Sequence, residues 1–301
     1  MQILTTSRAM SFTGYELESS VVDRTQPHVS VAMLSEQMYA QFTAVSEPRG
    51  GTGSNNLTAT GVDANTNNYI AGEVFTQSHD WVSTSNLSNG VGGDTLQKGE
   101  VLDFDLFTTN PLGHTDVLPT GSATALFLKF DGISTEDLVV ILKLSDLTTH
   151  AQTTRALVID GSDILRHGNT LTSSYQIVLD NNDGAVVIEQ NDYNLSGENY
   201  VITGAQVLTS TEGVTGSGID FNTVIGAAGA STGSQSFGAS TTDNDVIKIS
   251  DIGVVTQSTA TLDSHLDFNF AILDADGDAT ATQHLSVLMA GSASSLLETL
   301  N

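Results

Sequence analysis

Cysteine is absent from this chain, lysine and arginine together number only nine in 301 residues, and no long apolar run occurs anywhere. The first absence excludes disulfides and thiolate metal sites, and leaves the redox compartment unmarked. The second leaves 35 Asp and Glu largely unbalanced, for a formal net charge of -26 at pH 7. A surface this negative repels phosphate backbones and anionic lipid, so neither nucleic-acid binding nor membrane insertion is expected, and cations are the natural partners. The imbalance is sharpest in the second half, where Lys248 is the only basic residue after Arg166. The third absence means that no segment reaches the ~20 apolar residues of a membrane span. The opening "MQILTTSRAMSFTGYELESS" likewise lacks an apolar core of signal-peptide length.

What is present is β-forming sequence. A 39% hydrophobic content is too high for a disordered acidic chain, and the apolar residues fall into short clusters. "VLDFDLF", "ATALFLKF", "DLVVILKL", "TRALVID", "YQIVLD", "AVVIEQ", "NYVITGAQVL", "DVIKIS" and "HLDFNFAIL" alternate or run apolar between Gly, Asn, Asp and Ser. Such runs predict strands and an all-β fold. "ISTEDLVVILKL" could be argued as a capped helix, but Val139, Val140 and Ile141 are β-branched in succession, which favours a strand. Residues 1–62 read as an N-terminal partial domain in which "SVAMLSEQMYAQF" is the best short helix or strand. The adjoining Gly- and Asn-rich stretch marks a boundary near residue 62, residues 63–291 read as one β module, and 292–301 as a tail. The loose stretch Ser210–Asp245 is a long surface loop or, alternatively, a linker that subdivides the module near residue 214.

The densest chemistry lies in "FAILDADGDATATQHLSVLM", where Asp274, Asp276 and Asp278 crowd around Gly277. Leu266, Phe268, Phe270 and Ile272 alternate before it, and Leu285, Val287 and Met289 after it, so a hairpin across Asp276-Gly277 is expected. A hairpin needs one aspartate and the glycine; Asp274 and Asp278 are surplus. Three close carboxylates repel, and Ca²⁺, a hard cation with six to eight oxygen ligands, relieves that repulsion. On chemistry alone a calcium site and a solvated acidic turn both stand. The EF-hand template fails, because it would put Ile272 at the first ligand position and Gln283 where a bidentate Glu is required.

Other constellations carry weaker signals. "NGVGGDTLQ", Asn89 to Gln97, fits the calcium-binding nonapeptide except at Asn89, but a single copy has no stacked neighbour to complete a site, so a plain Gly-rich loop is expected. "GASTG" formally makes Ser231 a nucleophile-elbow serine, without the strand and helix that the motif requires. Asp180, Asp183, Glu189 and Asp192 surround two turns and could serve as glycosidase acids, as a second calcium-edged turn, or as a solvated turn; Asp183-Gly184 is a further hairpin signal. The histidines, including His265 two residues after Asp263, show no metal or triad spacing.

Taken together, "LDFDLFTTNPLG", "ALFLKFDGISTEDLVVILKL", "IVLDNNDGAVVIEQNDYN", "GENYVITGAQVLTSTEGVTGSGIDFN", "TTDNDVIKISDIG" and "DADGDATAT" resemble a C-terminal module of large repeats-in-toxin adhesins, calcium-dependent proteins exported by type I secretion that carry VCBS and cadherin-like domains. The resemblance covers roughly Thr66 to Gly291. It implies an antiparallel β-sandwich, immunoglobulin/cadherin-like or jelly-roll-like, with two packed sandwiches as an alternative. It also implies a non-enzymatic structural or adhesive role at the bacterial surface or outside the cell, and Ca²⁺ held by Asp274, Asp276 and Asp278. Neighbouring domains of a longer chain and a host-cell or biofilm ligand or glycan are the implied partners. A carbohydrate- or receptor-binding sandwich that uses its long loops, with Trp81 and the tyrosines stacking on sugar, is the alternative function, and a hydrolase a third.

Overall fold

The computed structural model describes residues 2–7, 12–17, 27–35, 37–46, 62–63, 68–69, 74–75, 79–83, 85, 87–97, 100–112, 118–159, 161, 163–167, 179–209, 219–220, 245–256, 264–273, 275, 277 and 279–289. The strands are β1 (Gln2–Ser7), β2 (Phe12–Leu17), β3 (Pro27–Ser35), β4 (Met38–Ser46), β5 (Val62–Asp63), β6 (Asn68–Tyr69), β7 (His79–Asp80), β8 (Glu100–Phe107) and β9 (Ala125–Phe130). Next come β10 (Leu138–Asp146), β11 (Gln152–Ile159), β12 (Leu165–Arg166), β13 (Gly184–Ile188), β14 (Tyr200–Thr209), β15 (Ile219–Asp220), β16 (Ile249–Thr256), β17 (Ser264–Phe270) and β18 (Gln283–Met289). One helical turn, α1 (Gln190–Tyr193), sits between β13 and β14.

The chain divides into two compact units, Met1–Thr256 and Gln257–Asn301. The first is an antiparallel β-sandwich. Its five-stranded sheet runs β1-β16-β9-β13-β12; its nine-stranded sheet runs β15-β11-β10-β14-β8-β4-β3-β2, with β7 paired to β4 off that path. All pairs are antiparallel except the short β11–β15 contact. A single apolar core joins the inner faces of the two sheets, with Leu126, Leu128 and Val254 from one and Phe42, Phe104 and Leu142 from the other.

The apolar run of β10 is a strand, as its β-branched residues predict, and the packing explains why it lacks alternation. Leu138, Val140 and Leu142 face the main core. Val139 and Ile141 face a second cluster with Phe75, Val101 and Leu208 on the outer side of the sheet. A strand covered on both faces has no solvent side to reserve for polar residues.

Two expected divisions fall inside this sandwich. "SVAMLSEQMYAQF" forms the β3–β4 hairpin, and β4 then pairs β8 from Tyr39↔Phe107 to Ser46↔Glu100, while β1 pairs β16. Strands from before residue 62 therefore complete both sheets, and no boundary separates them from the later strands. The stretch around residue 214 does not divide the module either, since β16, beyond it, returns to pair β9 in the same sheet as β1. Long-range pairing of this kind is invisible to a boundary argument built on local composition.

The second unit contains the β17–β18 hairpin, with Leu266 opposite Val287 and Phe268 opposite Leu285. These four residues and Phe270 form one exposed apolar face. On the other face His284 Nε2 lies 3.3 Å from an Asp267 carboxylate oxygen.

Candidate functional site

The hairpin expected around Asp276-Gly277 is present, but its turn is wider than two residues. Beyond the β17–β18 ladder an isolated bridge joins Leu273 to Ala279, so five residues, 274–278, lie between them. Just outside, the Ile272 amide donates to Thr280 Oγ1 at 3.0 Å and the Thr280 amide donates to the Ile272 carbonyl at 2.8 Å. Gly277 has φ +97°, a left-handed conformation that glycine adopts without strain. Asp274, Asp276 and Asp278 themselves lie outside the described residues, as does Ser231. Among the described residues no group of three or more His, Asp or Glu side chains is arranged to hold a metal ion.

The acids from Asp180 to Asp192 have structural partners. The Asp180 amide donates to Asp183 Oδ2 at 3.1 Å, and that carboxylate lies 2.9 Å from Lys129 Nζ on β9. Burial would raise the Asp183 pKa, but the hydrogen bonds from Lys129 and the Asp180 amide and the Lys129 charge together outweigh it and hold the carboxyl below its ordinary value. Glu189 and Asp192 form a capping box on α1, in which the Glu189 amide donates to Asp192 Oδ2 at 2.6 Å. Burial, reinforced by the Glu189 charge and opposed by that amide, pushes the Asp192 carboxyl up to about 6.

The nonapeptide-like segment is a tight turn. The Val91 amide donates to the Thr95 carbonyl at 3.1 Å, and Ser83 Oγ donates to Asp94 Oδ1 at 2.8 Å, so the Asp94 carboxylate has a hydroxyl partner. A Cβ on Gly90 would stand 2.5 Å from the Gly93 carbonyl oxygen, which accounts for glycine there without any metal. Trp81 is half-buried, and Tyr193 is 0% exposed with its hydroxyl donating to the Thr124 carbonyl at 3.1 Å, so Tyr193 is not available as a stacking platform.

The most developed polar site among the described residues lies on the outer face of the nine-stranded sheet. Strand registers align Thr154 (β11), Lys143 (β10), Gly204 (β14), Asp105 (β8) and Gln41 (β4) in one cross-strand row. The adjacent row contains Ile141, Gln206 and Asp103. Lys143 Nζ bridges the two acids, 2.5 Å from Asp103 Oδ1 and 2.8 Å from Asp105 Oδ1. Lys143 and Asp105 are separated by the whole width of β14, and Gly204 keeps that space open. A Cβ at position 204 would stand 2.5 Å from Asp105 Oδ1 and 2.4 Å from the Phe104 carbonyl oxygen.

Burial alone would lower the Lys143 pKa, but the charges and hydrogen bonds of Asp103 and Asp105 together outweigh it and raise it. Asp105 is shifted up, chiefly by burial and against the pull of Lys143. Gln206 ties this group to the chain above the sheet: its Nε2 donates to Asp103 Oδ2 at 3.0 Å and to the Phe75 carbonyl at 2.9 Å, while its Oε1 accepts the Phe75 amide at 2.8 Å. Gln41 Nε2 is buried without a hydrogen-bond partner among the described residues.

Next to this row the β10–β14 register shifts at Lys143/Leu144, and the extra residue is Thr203, whose hydroxyl donates to the Lys143 carbonyl at 3.2 Å. Such bulges re-aim side chains and interrupt pairing. Here the bulge borders a cavity of about 280 Å³ lined by Asp105, Lys143 and Gln152, with Val74 and Pro119 as its apolar wall. Sequence reasoning passed over this site. Two signals for it exist: "VLDFDLF" puts Asp103 and Asp105 on one strand face, and Lys143 is the lone charge in an otherwise apolar run.

No family model, curated protein or solved structure matches the chain, so its function is argued from its own residues.

Proposed function

We propose that this protein is a non-enzymatic, calcium-associated structural or adhesive β-sandwich module that acts outside the cell or at the bacterial surface within a type I-secreted, repeats-in-toxin-like adhesin. Its partners in this reading are Ca²⁺, neighbouring domains and a surface ligand. The observation that carries the calcium part is a mismatch in charge between the two units. In the sandwich, the described basic side chains are already engaged: Lys129, Lys143, Arg155 and Lys248 with carboxylates, and Arg166 with the carbonyls of Ile133 and Ser134. From Gln257 to Asn301 there is no lysine or arginine at all, yet the Leu273–Ala279 bridge confines three aspartates to five residues.

Carboxylates that close need a counter-charge, and the sequence around them supplies none. Their oxygens are the hard donors that Ca²⁺ prefers over softer nitrogen or sulfur ligands, and the ion would supply charge neutralisation and cross-linking of the loop. Asp274, Asp276 and Asp278 are the residues that would hold it. Because calcium binding to the folded state alone raises stability by ~2.7 kcal/mol at a hundredfold excess over Kd, the metal-free full chain should melt several degrees higher as millimolar Ca²⁺ is added. The triple variant Asp274→Asn, Asp276→Asn, Asp278→Asn should lose that shift. An unchanged melting temperature of the native sequence at millimolar Ca²⁺ sinks the calcium reading.

A further inference from the structure

We infer that the cavity beside Asp105 and Lys143 is a binding site for a neutral polyhydroxylated ligand, a single saccharide ring that presents adjacent hydroxyls to the carboxylate and the ammonium. Every described residue that lines it belongs to the sandwich unit. Its described lining does not include Trp81, the residue the sequence offers for stacking on a sugar.

The chemistry is set by which groups are already used. Asp105 Oδ1 accepts Lys143, while the second Asp105 oxygen takes no hydrogen bond among the described residues. Lys143 spends two of its three N–H donors on Asp103 and Asp105. The cavity wall therefore offers an open acceptor and an open donor side by side. An anion entering it meets two carboxylates, and a cation meets the Lys143 ammonium at close range. Lys143 Nζ also occupies the position between the two carboxylates that a metal ion would need.

A hydroxyl both donates and accepts, so a vicinal diol satisfies carboxylate and ammonium together with no net charge to desolvate. Val74 and Pro119 supply the apolar surface against which the C–H face of a sugar ring packs, and the Gln152 amide, on the same strand face as Thr154 and Lys143, adds one more polar contact. At about 280 Å³ the cavity falls just below the ~300 Å³ at which pockets for drug-sized ligands begin, which suits one ring rather than a chain of them.

The test is ligand-observed saturation-transfer NMR on the full chain with the methyl pyranosides of glucose, galactose and mannose, alongside ethylamine and acetate. Saturation transfer to at least one glycoside is expected. Asp105→Asn, which keeps the shape and the Asp103–Lys143 pair, should weaken that binding at least tenfold. Gln152→Trp, which fills the cavity from the Lys143 face of β11 without removing either charged group, should abolish it. The second variant keeps the test decisive should the first fail to fold. Silence from all three glycosides at about 10 mM overturns the inference. So does glycoside binding that survives Gln152→Trp, or transfer to ethylamine or acetate alone.

Discussion

Lys143 illustrates how a single side chain can be both an anomaly in the sequence and a keystone in the fold. It sits in the most apolar strand of the sandwich, with only 17% of its side chain exposed, and it answers two carboxylates rather than one. Removing it leaves Asp103 and Asp105 facing each other in a partly desolvated place. Breaking a buried ion pair from one side typically costs ~3–5 kcal/mol, whereas replacing the whole group with neutral residues is often close to harmless. Lys143→Met should thus lower the urea-unfolding free energy by about 3 kcal/mol, and the triple variant Asp103→Asn, Asp105→Asn, Lys143→Met should recover most of the loss. If single and triple variants are equally unstable, the group contributes through packing and not through charge.

Among the elements, α1 is the clearest case of residues misassigned when read as a list of acids. Glu189 and Asp192 look like a pair with catalytic spacing, but they cap one helical turn between β13 and β14. Arg155 fixes the same segment, with its guanidinium donating to the Tyr193 carbonyl and lying 2.6 Å from Glu198. The raised Asp192 pKa has a consequence for stability. Its folded value of about 6 lies above the ordinary 3.8, so the folded state holds the proton more tightly than the unfolded chain. The resulting stabilisation is complete below pH ~4 and is lost as pH rises through ~6. Melting curves of the native sequence and Asp192→Asn should agree near pH 4, and by pH 7.5 the native chain should have lost ~1 kcal/mol relative to the variant, after allowance for the partial exposure of the carboxyl. A difference that stays flat across that range refutes the role. The strands, by contrast, were legible: alternation located β8 and β17, and β-branching settled β10 as a strand.

For the whole molecule, the charge of -26 acts as a field as well as a set of contacts. Self-repulsion destabilises a compact, strongly anionic chain, and salt shortens its range from about 30 Å at 0.01 M to about 10 Å at 0.1 M. Raising NaCl over that interval should increase the melting temperature by a few degrees, and Ca²⁺ at matched ionic strength should add a further increment. A melting temperature that falls with NaCl would mean that attractive ion pairs, not repulsion, dominate the balance. Sequence by itself determined the all-β class, the acidic character and the hairpin around Gly277, because strand periodicity, composition and turn chemistry are local properties. Only the tertiary structure decided that residues before 62 belong to both sheets, that the chain divides after Thr256, and that Asp103, Asp105, Lys143 and Gly204 meet on one face. Those outcomes depend on which strands become neighbours. Neighbouring strands here pair positions as far apart as Gln2 and Thr256, and no local pattern encodes that choice.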